Sequence, residues 1–83
     1  MTTPDWLSSR GGALVKGLSD RTWFANFDGE PQYRLDVLPA KGQFTCAIVQ
    51  TNNSRRVDAG GIYLTPDAAL TGGLEELRSR LGW

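Results

Sequence analysis

The stretch TPDAALTGGLEELRSRL, residues 65–81, decides the fold because it specifies a helix with one apolar side. Thr65 is a typical N-cap, Pro66 suits the first helical position, and the helix dipole favours a carboxylate at Asp67. The apolar residues recur at the spacing of a single helical stripe, which comprises Leu70, Leu74, Leu77 and Leu81. We therefore predict a C-terminal helix over residues 65–81 that ends at Gly82 and packs its leucines on a sheet.

Two adjacent glycines, Gly72 and Gly73, interrupt this helical pattern. Each glycine costs about 0.8–1 kcal/mol relative to alanine inside a helix, so a compensating contact is needed. Gly73 lies beside the leucine stripe. We predict that a bulky side chain, such as one of the tryptophans, packs against bare backbone there.

Upstream of the helix, short β-prone segments alternate with turn residues. We predict strands at residues 13–18, 22–27, 32–38, 43–51 and 55–64, the last interrupted at Gly60-Gly61. Asp28-Gly29 is a hairpin signal, and Asn52-Asn53-Ser54 is a turn in which asparagine tolerates positive φ. The sequence therefore predicts one α+β domain over residues 1–83, an antiparallel β-meander of four to five strands with the C-terminal helix on one face.

The N-terminal residues favour a short helical turn. Thr3 can cap it and Pro4 suits its first position, while Gly11-Gly12 ends the segment. We expect Trp6 and Leu7 to fold onto the core.

Composition restricts the function classes. Nine Lys and Arg balance nine Asp and Glu, whereas a dedicated nucleic-acid or anionic-membrane binder usually has a basic excess. A single cysteine cannot form an internal disulfide, and the first residues lack the pattern of a signal peptide. We therefore expect a cytoplasmic protein with no membrane segment.

The residue types that most often perform chemistry are scarce. The chain has no histidine, the commonest general base and zinc ligand, and one cysteine cannot build a structural zinc site. Cys46 lies mid-strand between Phe44 and Ile48, which predicts a buried, unreactive thiol. No glycine pair has the spacing of a phosphate-binding loop. We therefore predict no enzyme, no metal and no cofactor.

Five residues are candidates for a binding surface. Arg55 and Arg56 adjoin a polar turn, where paired arginines can bind phosphate or carboxylate. Trp23 and Phe24 are neighbours on a strand, so they lie on opposite faces. Arg34 is a further cation on the strands. Because one helix covers only one face, the aromatic on the other face needs the N-terminal segment, a partner or another copy to cover it.

The order of elements in residues 42–81 resembles a family of small DNA-binding domains. It comprises a Gly-aromatic strand start at 42–44, a polar turn at 52–56, a short glycine-containing strand at 60–63, and Thr65-Pro66-Asp67-Ala68-Ala69 opening a helix. This order is similar to the three-stranded-sheet-plus-helix domains of plant ethylene-response factors and phage integrase arms. The resemblance covers about half the chain and implies nucleic-acid binding by the sheet. The dense sheet arginines of those domains are mostly missing.

These observations leave three functional hypotheses. The first is a non-catalytic interaction module that binds a protein partner or itself. The second is a weak nucleic-acid binder that uses the sheet face and the Arg55-Arg56 turn. The third is an accessory subunit of an enzyme, without an active site of its own.

Overall fold

The five strands lie in the sheet in the same order as in the chain, and every neighbouring pair is antiparallel. The computed structural model describes residues 2–58 and 60–83. The elements are α1 Asp5–Ser8, β1 Gly12–Lys16, β2 Thr22–Phe27, β3 Glu30–Ala40, β4 Gln43–Gln50, β5 Arg55–Arg56 and α2 Pro66–Leu81. The predicted α+β meander with a C-terminal helix is confirmed.

Tight turns with positive φ set the meander. Asp28 and Gly29 adopt φ of 54° and 78°, and Lys41 and Gly42 adopt 51° and 75°. Two consecutive left-handed residues are the signature of the hairpin turns whose twist matches that of the strands. In the turn after β4 the positive φ falls on Ser54, at 56°. Our attribution of that conformation to asparagine was therefore wrong.

Helix α2 begins and ends as the sequence predicts. Thr65 Oγ1 accepts a hydrogen bond from the Ala68 N–H at 3.0 Å, and Gly82 ends the helix with a φ of 76°. Leu70, Leu74 and Leu77 are buried, whereas Leu81 is only half-buried because it lies at the end of the sheet. The leucine stripe packs in one cluster with residues of the sheet and α1, chiefly Leu7, Leu14, Leu35, Val37, Cys46 and Ile48.

The two helix glycines are explained by two separate close contacts. A Cβ atom on Gly72 would overlap the ring of Tyr63, and one on Gly73 would lie 2.7 Å from the Cβ of Cys46. The predicted close approach is therefore present, but the expectation that a tryptophan fills it was wrong. A half-buried tyrosine and a small cysteine occupy the space, which brings the axis of α2 close to β4.

The N-terminal segment departs from its predicted cap. Helix α1 has no side-chain cap, and Pro4 precedes it in extended conformation instead of occupying its first turn. Thr3 Oγ1 accepts a hydrogen bond from the Leu14 N–H at 3.0 Å, so the threonine is attached to the outer edge of β1. Leu7 is completely buried and Trp6 half-buried, as expected.

The predicted last strand over residues 55–64 is shorter than expected. Only Arg55–Arg56 form a strand, and after an interval Tyr63 makes an isolated antiparallel bridge with Phe44. Beyond Arg56 a side chain takes the place of a backbone partner for β4. The Asp58 carboxylate accepts a hydrogen bond from the Ile48 N–H at 3.0 Å. Ala59, within the predicted strand, lies outside the described residues.

The glycine contacts give a testable prediction for α2. We expect Gly73→Ala to lower the free energy of unfolding by about 1–3 kcal/mol, since the added methyl group would overpack against Cys46. Thr71→Ala, at an exposed position two residues before Gly73, should leave stability unchanged or raise it through helix propensity. Urea denaturation measures both. A stabilised Gly73→Ala variant would contradict the close-contact explanation.

The leucine stripe gives a second prediction. Leu74→Ala should destabilise the fold by about 2–5 kcal/mol because it leaves a cavity between α2 and the sheet. Leu81→Ala should have a smaller effect, since Leu81 is only half-buried. Equal losses for the two variants in thermal or urea denaturation would show that the stripe is not buried as described.

Candidate interaction surface

Both helices lie on the same side of the sheet. α2 packs on β3 and β4, and α1 packs beside β1. Along each strand, side chains that point towards the helices alternate with a second set of side chains that point to the other side of the sheet. This second set forms what we call the open face, against which no helix packs within residues 2–58 and 60–83. Its members include Val15, Phe24, Arg34, Asp36, Leu38, Val49 and Arg56.

One row of the open face runs across all five strands. Register pairing aligns Val15 with Phe24, Phe24 with Arg34, Arg34 with Val49, and Val49 with Arg56. Val49 is buried although it lies on this face, because an arginine flanks it on each side. The row therefore begins with two apolar side chains on β1 and β2 and alternates cationic and apolar side chains from β3 to β5.

Three of the five predicted binding residues meet in this row: Phe24, Arg34 and Arg56. Trp23 lies on the opposite face, half-buried against the core beneath the helices. Arg55 pairs with Gln50, so its side chain belongs to the helix side of the sheet edge, where it is exposed. The structure thus brings together three predicted residues and separates the other two from them.

Each arginine of the row is paired with an aspartate two residues further on. Arg34 Nε contacts Asp36 Oδ2 at 2.8 Å, and Asp36 Oδ1 accepts a hydrogen bond from Thr22 Oγ1 at 2.8 Å. Arg56 binds both carboxylate oxygens of Asp58, at 3.0 and 2.8 Å. These ion pairs could have been found in the sequence, since the spacing Arg-x-Asp places both charges on one face of a strand.

Asp58 is the better buried of the two aspartates. The Asp58 side chain is 5% exposed. The hydrogen bonds from Arg56 lower the pKa of the Asp58 carboxyl, with a further contribution from the Ile48 N–H, while burial opposes them. The same hydrogen bonds raise the pKa of Arg56. Asp58 thus joins the end of β5 to β4 and neutralises the Arg56 cation.

Exposed apolar side chains are concentrated on the open face. Residues 2–58 and 60–83 contain five exposed large hydrophobic side chains, and Val15 and Leu38 of the open face are among them, 43% and 42% exposed. Ile62, 38% exposed, follows by alternation from the Phe44–Tyr63 bridge and lies opposite Thr45 on this face. Of the other two, Leu18 lies in the turn between β1 and β2, and Leu64 lies between the Tyr63 bridge and α2.

The single cysteine does not contribute to this surface. Cys46 is buried on the helix side, and burial raises the pKa of its thiol to about 12, so the thiol stays protonated at neutral pH. Within residues 2–58 and 60–83 no group of three His, Cys, Asp or Glu side chains is placed to hold a metal ion. None of the described helices is long and apolar enough to cross a membrane.

Comparison with known proteins identifies no relative. No family model, no curated protein and no solved structure matches this chain.

The Asp58 geometry predicts a pH-dependent stability. A carboxyl whose pKa is lowered by folding stabilises the fold above its unfolded pKa of about 4, and this contribution is lost as pH falls through the folded-state pKa. Asp58→Asn should therefore lower the free energy of unfolding at pH 7 by about 1–2 kcal/mol, as expected for loss of a charged hydrogen bond.

Urea denaturation of wild type and Asp58→Asn between pH 7 and pH 2 measures this difference. We expect the two curves to converge at the acid end. Glu30→Gln is a control, because Glu30 is exposed, lies outside the helices and forms no ion pair within the described residues. A wild-type advantage that persists undiminished at pH 2 would contradict the assigned role.

Proposed function

We propose that this chain is a non-catalytic interaction module that binds a second copy of itself through the open face. The observation that carries the proposal is the concentration of exposed Val15, Leu38 and Ile62 on a sheet face that no helix covers in the described residues. Leu38 and Ile62 lie in one row on either side of Thr45, and exposed apolar side chains with polar neighbours are typical of protein interaction surfaces.

The charges of the open face favour a protein over a polyanion. Arg34 and Arg56 each contact an aspartate on the same face, so the face carries both signs in equal number. Phosphate binding would have to compete with these pairs, and nearby carboxylates repel a polyanion. A protein surface that also carries both signs meets no such penalty.

The paired charges also favour a second copy as the partner. In a two-fold symmetric dimer the same surface faces itself, so the Arg34 of one copy can approach the Asp36 of the other, and the reverse. The formal net charge of zero leaves no overall repulsion between copies. The Arg34–Asp36 and Arg56–Asp58 pairs within one copy already have the hydrogen-bonding distances that such contacts between copies would need.

The size of the sheet sets the expected affinity. A strand residue occupies about 16 Å² of a sheet, so the five strands give a flat area of about 500 Å² per copy. Face-to-face packing would then bury about 1,000 Å² in total, which is the lower limit for specific interfaces. We expect a reversible dimer with a dissociation constant of about 1–100 μM.

Sedimentation equilibrium over 1–500 μM protein tests the proposal. Leu38→Glu should shift the chain to a monomer, because it buries an unpaired charge in the interface. Leu18→Glu is the matched control, since Leu18 is exposed in the turn between β1 and β2, and it should still dimerise. Circular dichroism checks that both variants are folded.

Two results would overturn the proposal. The first is wild-type protein that remains monomeric at 500 μM. The second is sub-micromolar binding of labelled duplex or single-stranded oligonucleotides at about 150 mM salt, far tighter than weak non-specific binding, that Arg34→Gln/Arg56→Gln abolishes. That outcome would favour the nucleic-acid hypothesis instead.

A further inference from the structure

A second candidate site lies on the helix side of the sheet, at the tip of the β2–β3 hairpin. A cavity of about 380 Å³, open to solvent, is lined there by strand residues and the end of α2. Three of its walls are the aromatic side chains of Phe27, Tyr33 and Trp83, and two are the carboxylate residues Asp28 and Glu30. It does not overlap the open face, so the inference is independent of the proposed function.

A β-bulge assembles this cavity. Asn26 pairs with Pro31 and Ala25 pairs with Tyr33, so Gln32 is an extra residue in β3. The extra residue reverses the alternation, which places Glu30, opposite Phe27, on the same face as Tyr33 three positions later. Without the bulge these two side chains would lie on opposite faces of the sheet.

The aromatic walls are held in place by edge and tilted ring contacts. The Phe27 and Trp83 rings meet nearly edge to face with centroids 5.4 Å apart, and Trp6 supports Trp83 at 6.2 Å. The guanidinium of Arg10 stacks over the Trp83 ring at 4.7 Å. The Trp83 π system therefore already binds a cation from within the chain, which is the chemistry expected of an electron-rich ring face.

The two carboxylates of the cavity have no partner in the described residues. Asp20, Asp36, Asp58 and Glu75 form ion pairs, Glu76 accepts a hydrogen bond from Tyr63, and Asp5 and Asp67 lie in the first turns of helices. Asp28 and Glu30 form no ion pair or side-chain hydrogen bond within residues 2–58 and 60–83. Their negative charge is available to a ligand.

We propose that this cavity binds an organic ammonium ion, with the alkyl groups against Phe27, Tyr33 and Trp83 and the charge facing Asp28 and Glu30. Aromatic rings arranged around a pocket attract alkylated ammonium groups through their negative faces, and a nearby carboxylate adds a direct charge attraction. Two kinds of ligand contain such an alkylated ammonium group: a small molecule such as choline, and an alkylated lysine side chain of a protein.

The test is a titration of ¹⁵N-labelled protein with choline, followed by NMR. The indole N–H of Trp83 and the amides of residues 27–30, 32 and 33 should shift, and 3,3-dimethyl-1-butanol, the neutral analogue of the same shape, should bind at least about fivefold more weakly because it lacks the charge. A short peptide with trimethyllysine and the same peptide with lysine distinguish a protein ligand from a free amine.

Conservative variants separate binding from folding. Asp28→Asn/Glu30→Gln should weaken choline binding about five- to tenfold through the loss of two exposed charge contacts, while asparagine keeps the Asn-Gly hairpin turn. Glu75→Gln, a distant exposed carboxylate, is the matched control and should bind as wild type. Tyr33→Phe should retain binding, and Tyr33→Leu should lose it.

Three outcomes would overturn the inference: equal binding of choline and its neutral analogue, shifts that map away from residues 27–33 and Trp83, or full binding by the doubly neutralised variant. The Leu38→Glu variant should bind choline as wild type does. Failure of dimerisation and failure of this site are therefore distinguishable.

Discussion

The close approach of α2 to β4 at Gly72 and Gly73 is the contact on which the rest of the structure depends. Two bare helix positions accept the Tyr63 ring and the Cys46 side chain, and the leucine stripe then reaches the sheet along the same line. In a chain of 83 residues the core is thin, so a separation increased by one methyl group would loosen much of it. The helix propensity lost at the two glycines is offset by this packing.

That same contact determines which side of the sheet is left uncovered. α2 occupies the helix side above β3 and β4, α1 fills the remaining space beside β1, and Leu7 joins the common core. Both helices of the described residues thus lie on the same side of the sheet. The open face is therefore a consequence of both helices packing together, and its Arg–Asp pairs supply polarity that a covered face would not need.

Sequence patterns were sufficient where one local rule acted alone. The cap at Thr65, the left-handed Asp28-Gly29 turn and the alternation of β4 depend on residues a few positions apart, and the structure confirms them. The same alternation placed Trp23 and Phe24 on opposite faces. These features required no knowledge of which elements meet in space.

Sequence patterns failed where a distant partner decided the outcome. The Thr3 hydroxyl could cap a helix or accept a hydrogen bond from the Leu14 N–H. It accepts the hydrogen bond from Leu14 because β1 lies beside it. Tyr63 lies 9 positions from Gly72 along the chain, and Cys46 lies 27 positions from Gly73. Because no local pattern identifies such distant partners, we chose a tryptophan only for the volume of its side chain. The bulge at Gln32 has one local signal, the adjacent Pro31, but its effect on which side chains line the hairpin cavity depends on the pairing with β2.

The hydrogen bond between Thr3 and Leu14 affects how readily other chains can add to the edge of the sheet and aggregate. β1 is the outer strand of the sheet, and the unpaired amides of an outer strand are a template on which other chains can add and aggregate. Thr3 occupies one of these amides with a side chain that cannot itself continue a ladder, and Pro4 follows with no N–H to offer. Thr3 thus blocks one point of this edge to other chains, and replacing it would free the Leu14 amide for intermolecular pairing while Pro4 still holds the start of α1.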